Sequence, residues 1–419
     1  MAAPAVTPSS ATPVPAVVAT APAPAHPLRD PRFRRLWTGS AVSLFGDQFY
    51  LVALPWVVFQ LTGSAVAMAT IMMAAAIPRA VLMLMGGAIS DRFSCRKIMM
   101  ATASARGVLV TAIGALLALH SLRMWELYLL SFGFGVADAF AMPASQTYLP
   151  FLVSRERLVP ANSVFQTTAQ LITIVGPAPA GIAVKAFGAA WAFFLDAISF
   201  VFIPAALVAL PDPPLPPVGV RQSVWHSIFE GIRYVRRDVP LSSLMLTATV
   251  VNFCLAGPAG VGLPYLAAKK FGSPTAYAAL VSCVAAGGLL GAFAAGLWKP
   301  RRRGFLILGS CAILGLCIGS IGLLPRLWLI GVILVLMGIA AGITNIHIAA
   351  WCQQRVETAV RGRVMSVLMF AAIGLLPVSL AVAGVVAQWS MKLLFLFAGA
   401  GTLAVTAAAA MHRSVREIA

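Results

Sequence analysis

Apolar runs of about 20 residues, separated by short polar connections, follow one another along most of the chain. A run of about 20 apolar residues is long enough for an α-helix to cross the hydrocarbon core of a bilayer. The pattern therefore predicts an all-α protein with twelve membrane-crossing helices. They are expected at 36–61, 66–90, 98–119, 124–148, 163–184, 188–210, 241–266, 275–298, 305–324, 327–350, 363–386 and 391–411.

The longest connection, 211–240, divides these helices six and six. It begins with the proline-rich stretch Pro211–Pro217, and 221–238 reads as an amphipathic helix suited to a membrane surface. Residues 1–27 are rich in Ala and Pro, carry no charged side chain, and lack the pattern of a signal peptide. The predicted regions are a disordered tail (1–30), a six-helix bundle (31–210), a linker (211–240), a second six-helix bundle (241–411) and a short tail (412–419).

Composition supports a membrane protein and excludes a soluble one. The 419 residues are 60% hydrophobic and 10% charged, whereas soluble domains carry about 25% charged residues. The net charge of +18 comes from basic clusters between the apolar runs. This distribution is typical of loops that follow the positive-inside rule, and it does not indicate a nucleic-acid partner.

The basic residues also predict an orientation. Of the 30 Lys and Arg, 22 fall on one side of the predicted membrane, 6 on the other and 2 within helices. Cytoplasmic loops carry the excess of Lys and Arg, so both termini are expected in the cytoplasm. We expect a multi-pass protein of the bacterial inner membrane.

The sequence contains none of the residue patterns that an enzyme or an ATP-driven pump would need. The six cysteines are scattered singly, without C-x-x-C spacing, and the five histidines are equally dispersed. Neither a G-x-S-x-G nor an H-E-x-x-H motif occurs, and no phosphate-binding loop of the type G-x-x-x-x-G-K-[ST] is present. We therefore predict no enzymatic activity, no cofactor and no metal.

The connection between the second and third predicted helices reads Gly87-Ala-Ile-Ser-Asp91-Arg92-Phe-Ser-Cys-Arg96-Lys97. It resembles the signature of the major facilitator superfamily, a Gly, then Asp-Arg, then a basic pair. The resemblance implies that Gly87 permits close helix packing and that Asp91 interacts with the start of helix 11. It also implies that Arg92, Arg96 and Lys97 hold a cytoplasmic gate. A carboxylate is stabilised near a helix N-terminus, so the motif would latch one conformation.

Further segments are similar to one branch of that superfamily, the enterobactin-exporter-like and macrolide-efflux-like proteins. These are Leu158-Val-Pro-Ala-Asn162-Ser163, Phe194-Leu-Asp196-Ala-Ile-Ser-Phe200 and Glu230-Gly-Ile-Arg-Tyr-Val-Arg-Arg. In helix 5, Gly176, Pro177 and Gly181 resemble part of the antiporter signature of proton-coupled drug exporters. Glycine and proline there would let helix 5 pack closely and bend.

Ionisable residues inside predicted helices indicate function, because a charge in hydrocarbon is costly. Asp47 (helix 1), Arg79 (helix 2) and Asp138 (helix 4) lie deep in their helices. In the superfamily, helices 1 and 4 line the central cavity, which implies Asp47 and Asp138 as proton-coupling or substrate residues with Arg79 as counter-ion. Arg106 in helix 3 and Asp196 in helix 6 are expected to be structural. The alternative for Asp47 and Asp138 is a static pairing with arginine that fixes helix packing.

The resemblance implies a major facilitator fold and a secondary active transporter that works by alternating access. We expect it to export a lipophilic or amphipathic small molecule, such as a drug, macrolide, siderophore or secondary metabolite, in exchange for protons. Drug exporters of the superfamily often carry an Arg in helix 4, but none occurs between Arg123 and Arg155. Proton coupling is thus implied by the branch alone. A monomer in the lipid bilayer is expected. An importer of a small nutrient and a transporter-like membrane sensor remain as alternatives.

Overall fold

A computed structural model of the chain describes residues 26–90, 93–212, 233–236, 238–297, 302–356, 374–412 and 416. Within these ranges the regular structure is helical, and they contain no β-strand. The six helices of the first half are α1 (Pro31–Thr62), α2 (Ala65–Ser90), α3 (Cys95–Ala118), α4 (Met124–Leu152), α5 (Leu158–Phe187) and α6 (Ala189–Val208). Those of the second half are α7 (Val239–Phe271), α8 (Pro274–Leu297), α9 (Arg303–Ile321), α10 (Leu327–Arg355), α11 (Leu376–Trp389) and α12 (Met391–Met411).

Eleven of these helices are long and apolar enough to cross a membrane, and α11 is a shorter apolar helix. The sequence predicted a helix over 363–386, and residues 357–373 lie outside the described part of the chain. The expected disordered tail (1–30) and amphipathic linker helix (221–238) also lie largely outside it. The last helix, α12, has the predicted bounds.

The first helix begins earlier than the sequence predicted, at Pro31 instead of residue 36. Asp30 caps it, because its side chain accepts a hydrogen bond from the Arg32 backbone N–H. Pro31 occupies the first helical position, where its missing N–H costs nothing. The sequence reading missed this turn because three arginines make it look like a polar connection.

Two helices have breaks, one at a proline and one at an inserted side chain. In α5 the helical segments Leu158–Val175 and Pro177–Phe187 meet at Gly176, since proline cannot donate the next ladder hydrogen bond. The second irregular helix, α7, contains a π-helical turn from Pro258 to Gly262. Just before this turn, the hydroxyl of Ser379 from α11 is inserted into a backbone hydrogen bond of α7. It accepts a hydrogen bond from Gly257 N–H at 2.7 Å and donates to the Phe253 carbonyl. A side chain inserted in this way is a recognised cause of a helix bend.

Helix packing follows the same scheme in both halves. In the first half, α1 packs on α6, α2 on α4, and α3 on both α4 and α6. In the second half, the corresponding pairs are α7 with α12, α8 with α10, and α9 with α10 and α12. Such correspondence is expected when two halves arise from a parallel repeat. Across the halves, the main contacts join α2 to α11 and α5 to α8.

Many large apolar side chains lie on the outside of the helices. Val108, Trp191, Val201, Phe293 and Phe397 are all more than half exposed. A water-soluble monomer rarely exposes so much contiguous apolar surface. These side chains fit a lipid environment.

Contacts between the halves are unevenly distributed along the helices. We call the end where α1 begins the near end and the end where α1 finishes the far end. At the far end, Gln388 of α11 accepts a hydrogen bond of 2.9 Å from the backbone N–H of Ala65 in α2. The rings of Phe59 and Tyr265 also meet there, with centroids 5.8 Å apart. Deeper in the helices, Gln170 of α5 donates to the Ala285 carbonyl of α8 at 3.2 Å.

Polar contacts of the described residues at the near end stay within one half. Arg96 donates to the carbonyls of Leu207 and Val208 at 2.8 and 2.9 Å and thereby caps the end of α6. In the second half, Asp238 at the start of α7 pairs with Arg355 at the end of α10, at 2.7 Å. The described contacts therefore hold the two halves together mainly at the far end.

Substitution of Gly291 tests the close packing of α8 on α10. A Cβ at Gly291 would lie 2.8 Å from the backbone carbonyl carbon of Ile339, so Gly291→Leu should force the helices apart. We expect a loss of stability of about 1–3 kcal/mol, the usual effect of overpacking, measured by thermal unfolding in detergent. Gly309→Leu is the matched control, because nothing lies within 4 Å of a Cβ at Gly309. Equal stability of the two variants would contradict the close approach.

Candidate functional site

Three charged side chains from three helices form an ion-pair network. Asp138 of α4 lies between two arginines: its Oδ2 is 3.1 Å from Nη1 of Arg79 in α2, and its Oδ1 is 3.3 Å from Nη1 of Arg106 in α3. Each carboxylate oxygen thus accepts a charge-assisted hydrogen bond. The network connects α2, α3 and α4 and orients the Asp138 carboxylate.

The two arginines have different surroundings. The side chain of Arg106 is 10% exposed, whereas that of Arg79 is 42% exposed. The guanidinium carbon of Arg106 lies 4.6 Å from the centre of the Phe200 ring of α6, a favourable cation–π distance. The Nε of Arg106 is buried and has no hydrogen-bond partner among the described residues. The Nε–H group of Arg106 is therefore available to donate a further hydrogen bond inside the protein.

Asp47 lies at the midpoint of α1, which has 32 residues. It is half-buried, and it forms no ion pair with any described residue. Its electrostatic neighbours are Arg106 and Asp138. Asp47 is thus a carboxylate placed beside the ion-pair network but available to a proton or a ligand.

Asp196 of α6 is completely buried. Neither of its carboxylate oxygens has a hydrogen-bond partner among the described residues. Gly46, the residue before Asp47, makes room for it: a Cβ at Gly46 would lie 2.9 Å from Asp196 Oδ1. The carboxyl group of Asp196 therefore lies directly against the backbone of α1 beside Asp47.

A cavity of about 640 Å³ extends from this cluster toward the near end, and every residue that lines it belongs to α1–α6. Asp47, Arg106 and Asp138 lie on its wall. The other polar lining residues are Ser40, Ser43, Thr102, Ser145, Gln146, Asn162 and Gln166. Leu36, Leu44, Met99, Met142, Leu149, Phe165 and Ile203 supply apolar surface. Such a mixed wall suits a molecule with an apolar body and a few polar groups.

The structure places the predicted site residues in three groups. Asp47 and Asp138 line the cavity, and Arg79 pairs with Asp138 without lining the cavity itself. Of the helix 2–3 motif, Gly87 lies in α2, and Asp91 and Arg92 lie outside the described residues. Arg96 caps α6 as described above, and Lys97 is exposed.

The helix 5 motif lies at two close helix contacts. A Cβ at Gly176 would be 3.1 Å from Cβ of Gln48 in α1, and one at Gly181 would be 3.0 Å from Cα of Thr275 in α8. Pro177 begins the second segment of α5. The motif therefore holds α5 against one helix of each half. Its role in antiport stays a prediction.

Sequence reasoning gave too little weight to Arg106 and Asp196. Both were expected to be structural because helices 3 and 6 were expected at the periphery, yet Arg106 lines the cavity and Asp196 lies beside Asp47. One signal was available in the sequence. Asp196 and Phe200 are four residues apart, and Ser199 is three residues from Asp196, so the three share one helix face. That face packs on α1 and α3.

Comparison with protein families gives one match over residues 22–419, to the family described as transmembrane secretion effector. The MFS-type transporter YfiS of Bacillus subtilis is 28% identical over 382 residues, which cover 87% of this chain and 89% of YfiS. Macrolide efflux protein A of Streptococcus pyogenes is 25% identical, with 80% of this chain and 84% of that protein covered. The multidrug efflux pump Tap of Mycolicibacterium fortuitum is 27% identical, with 82% and 86% covered.

Among solved structures, the nucleoside transporter NupG superposes with a TM-score of 0.71 at 12% sequence identity. The alignment covers 91% of this chain and 99% of NupG. At this identity the likeness concerns the fold alone. The relatives in sequence are transporters and not enzymes.

The different burial of the two arginines leads to a prediction about stability. Removing one partner of an ion pair is more costly when the pair is buried. Arg106→Gln should therefore destabilise the protein more than Arg79→Gln, by about 1–3 kcal/mol against about 1 kcal/mol or less. Thermal unfolding of the two variants in the same detergent measures the difference. A larger loss for Arg79→Gln would show that the network is not organised around Arg106.

Proposed function

The chain belongs to the transmembrane secretion effector family of major facilitator transporters, and we propose that it is a secondary active exporter coupled to protons. Its substrate is a lipophilic or amphipathic small molecule, which binds in the cavity beside Asp47. The observation that carries the proposal is an unpaired, half-buried carboxylate at the midpoint of a membrane helix, on the wall of a cavity of about 640 Å³. Relatives named for macrolide and multidrug efflux support the direction of transport.

The twelve helices form two six-helix bundles, and both chain termini are cytoplasmic. Support for the bundles comes from the helix pairs, which are the same in each half. Support for the orientation comes from the excess of Lys and Arg in the connections of the near end. The near end is then the cytoplasmic side of the bacterial inner membrane, and the far end faces outward.

Transport proceeds by alternating access, in which the two bundles rock about the cavity. The contacts of Gln388 with Ala65 and of Phe59 with Tyr265 close the outer side in this conformation. The cavity extends toward the cytoplasmic side, and its lining includes the near-end residues Leu36, Met99 and Pro150. This is the arrangement expected of an exporter that is ready to receive its substrate from inside the cell or the inner leaflet.

Coupling requires a group that changes its protonation as the cavity changes sides. Asp47 has the necessary access, because it lies on the cavity wall and has no ion-pair partner among the described residues. Asp138 is held by two arginines, so its carboxylate is already engaged in ion pairs. In the described spans of the second half no Asp or Glu occurs between α8 and α12, so the titrating carboxylate belongs to the first bundle.

Neutralising Asp47 tests coupling directly. In an efflux-deficient bacterium that expresses the chain, Asp47→Asn should abolish resistance to the compounds that the wild type exports, because the variant cannot exchange a proton there. Growth inhibition by a panel that includes a macrolide and a lipophilic cation such as ethidium measures resistance. In inverted membrane vesicles, the variant should show no uptake of the same compound driven by a proton gradient.

Glu126→Gln is the matched control for Asp47→Asn, since it neutralises a carboxylate that caps the start of α4, away from the cavity. It should export normally. Normal export by Asp47→Asn under a proton gradient would refute the coupling assignment. If the wild type moves no compound in either direction, the result would favour a transporter-like sensor. Inward flux without outward flux would favour an importer.

The contact that closes the far end can be tested by placing a bulky side chain between α2 and α11. A Cβ at Gly384 in α11 would lie 3.2 Å from the Ala65 carbonyl oxygen and closer still to the Ala69 methyl group of α2. Gly384→Leu should therefore shift the equilibrium toward the outward-open conformation, by about tenfold or more if it costs the closed state at least ~1.4 kcal/mol.

Spin labels at Leu61 and Trp389, both exposed at the far end, report this shift as a longer distance in pulsed electron resonance. The native cysteines are removed for the measurement. Gly296→Leu is the control, because nothing lies within 4 Å of a Cβ at Gly296. An unchanged distance in Gly384→Leu would mean that the contact between α2 and α11 does not form the outer closure.

A further inference from the structure

The deep ionisable side chains of the first bundle do not balance in charge. Within the described spans α1–α6, they are Asp47, Arg79, Arg106, Asp138 and Asp196. Three carboxylates face two guanidinium groups, and an arginine does not lose its proton in a protein. With every group ionised, the cluster would carry one net negative charge inside the membrane, which is strongly unfavourable. A single bound proton makes the cluster neutral.

The geometry of the three carboxyl groups indicates where this proton resides. Asp138 accepts hydrogen bonds from two arginines, which stabilise its ionised form. Asp47 borders the cavity and is only half-buried. Asp196 is completely buried with both oxygens unpartnered. An ionised carboxylate in that position would lose its hydration without compensation, whereas the neutral acid loses far less.

The charged and titratable groups around Asp196 are few. From α1 they are Asp47 and Tyr50, and from α3 the group is Arg106. The remaining helix packed on α6 is α5, whose only charged residue within Leu158–Phe187 is Lys185, which is exposed. Besides burial, the charged groups that act on Asp196 are thus Asp47 and Arg106.

Arg106 has the means to bind Asp196 in another conformation. Its Nε has no partner, and its guanidinium group lies over Phe200, one helical turn from Asp196 on the same face of α6. Asp138 would keep Arg79 as a partner if Arg106 turned away. A guanidinium shared between two acids gives two discrete arrangements, as a switching element requires.

We propose that Asp196 holds the single proton of the cluster in this conformation and passes it to Asp47 when Arg106 turns from Asp138 to Asp196. The O–H bond of Asp196 breaks and one forms on Asp47, so the cluster stays neutral throughout. Asp47 then exchanges the proton with water in the cavity. Asp196 is thus the buried residue that holds the proton, and Asp47 is the residue that exchanges it with water. This assignment rests on the proposed proton-coupled transport, which it refines.

Infrared spectroscopy of the full chain reconstituted in lipid tests the location of the proton. At neutral pH, the difference between wild type and Asp196→Asn should contain the carbonyl band of a protonated carboxylic acid. In Asp47→Glu, which keeps the charge of the cluster, this band should stay at its wild-type position. If the acid band is missing from the Asp196→Asn difference, or shifts in Asp47→Glu, the proposal is wrong.

Thermal unfolding provides a second readout that does not depend on spectral assignment. If the folded chain keeps a proton on Asp196 that the unfolded chain releases, the folded state binds more protons, so wild-type stability falls as the pH rises from mildly acidic to neutral. For each unit that the pH rises, the equilibrium constant of unfolding should increase in the wild type by a factor up to about ten times larger than in Asp196→Asn.

Ser131→Ala is the control for both measurements, because Ser131 is a fully buried and unpartnered polar residue of α4 that carries no charge. It should keep the acid band and the wild-type pH dependence. Equal pH dependence in wild type and Asp196→Asn would overturn the proposal. Neither measurement uses a substrate or a proton gradient, so a failure here is distinguishable from a failure of proton-driven export.

Discussion

Asp138 between its two arginines is the interaction on which the proposed first bundle depends. A lone charge at this depth would be costly in hydrocarbon, and Arg79 and Arg106 share the carboxylate of Asp138 as their ion-pair partner. The pairing also fixes the relative positions of α2, α3 and α4. It leaves Asp47 as the carboxylate that faces the cavity without a fixed partner. Two guanidinium groups and one carboxylate leave one net positive charge in the network, and Asp47 is the neighbouring carboxylate on the cavity wall that can balance it.

The sequence predicts how deep these residues lie along their helices but not which way they point. Apolar runs indicate where a helix lies in the bilayer, so spacing alone predicts that Asp47, Arg79 and Asp138 lie near mid-membrane. Which way a side chain points depends on how the helices pack, which hydropathy does not record. For that reason Arg106 and Asp196 were expected to be structural, although one lines the cavity and the other touches α1 beside Asp47. The capping of α6 by Arg96 was equally invisible, because it joins residues more than a hundred positions apart.

The second bundle contributes packing instead of charge. The described parts of α8, α9, α11 and α12 carry no carboxylate, and close glycine contacts such as that of Gly291 dominate their interfaces. In the proposed mechanism, a change in protonation in the first bundle would reach the second one through the helix pairs that cross between them. These are α2 with α11 and α5 with α8. Because packed helices are bistable and not continuously deformable, small shifts at these contacts are enough to move a bundle as a unit.

Among the described helices, the Asp, Glu, Lys and Arg residues away from helix ends all belong to the first half, which has a physical consequence for the proposed mechanism. If the two bundles rock as units, the distances within the first bundle change little. The arginines and carboxylates then need not be separated in low dielectric, which would cost several kcal/mol per ion. What changes is the exposure of the cavity wall, and Asp47 is the acidic residue of the cluster that lies on that wall without an arginine partner. A half-buried carboxylate whose access to water alternates, beside a charge network that does not dissociate, can exchange protons with both sides at little cost. The asymmetry between the bundles thus favours coupling by changes of access over coupling by the breaking of a salt bridge between them.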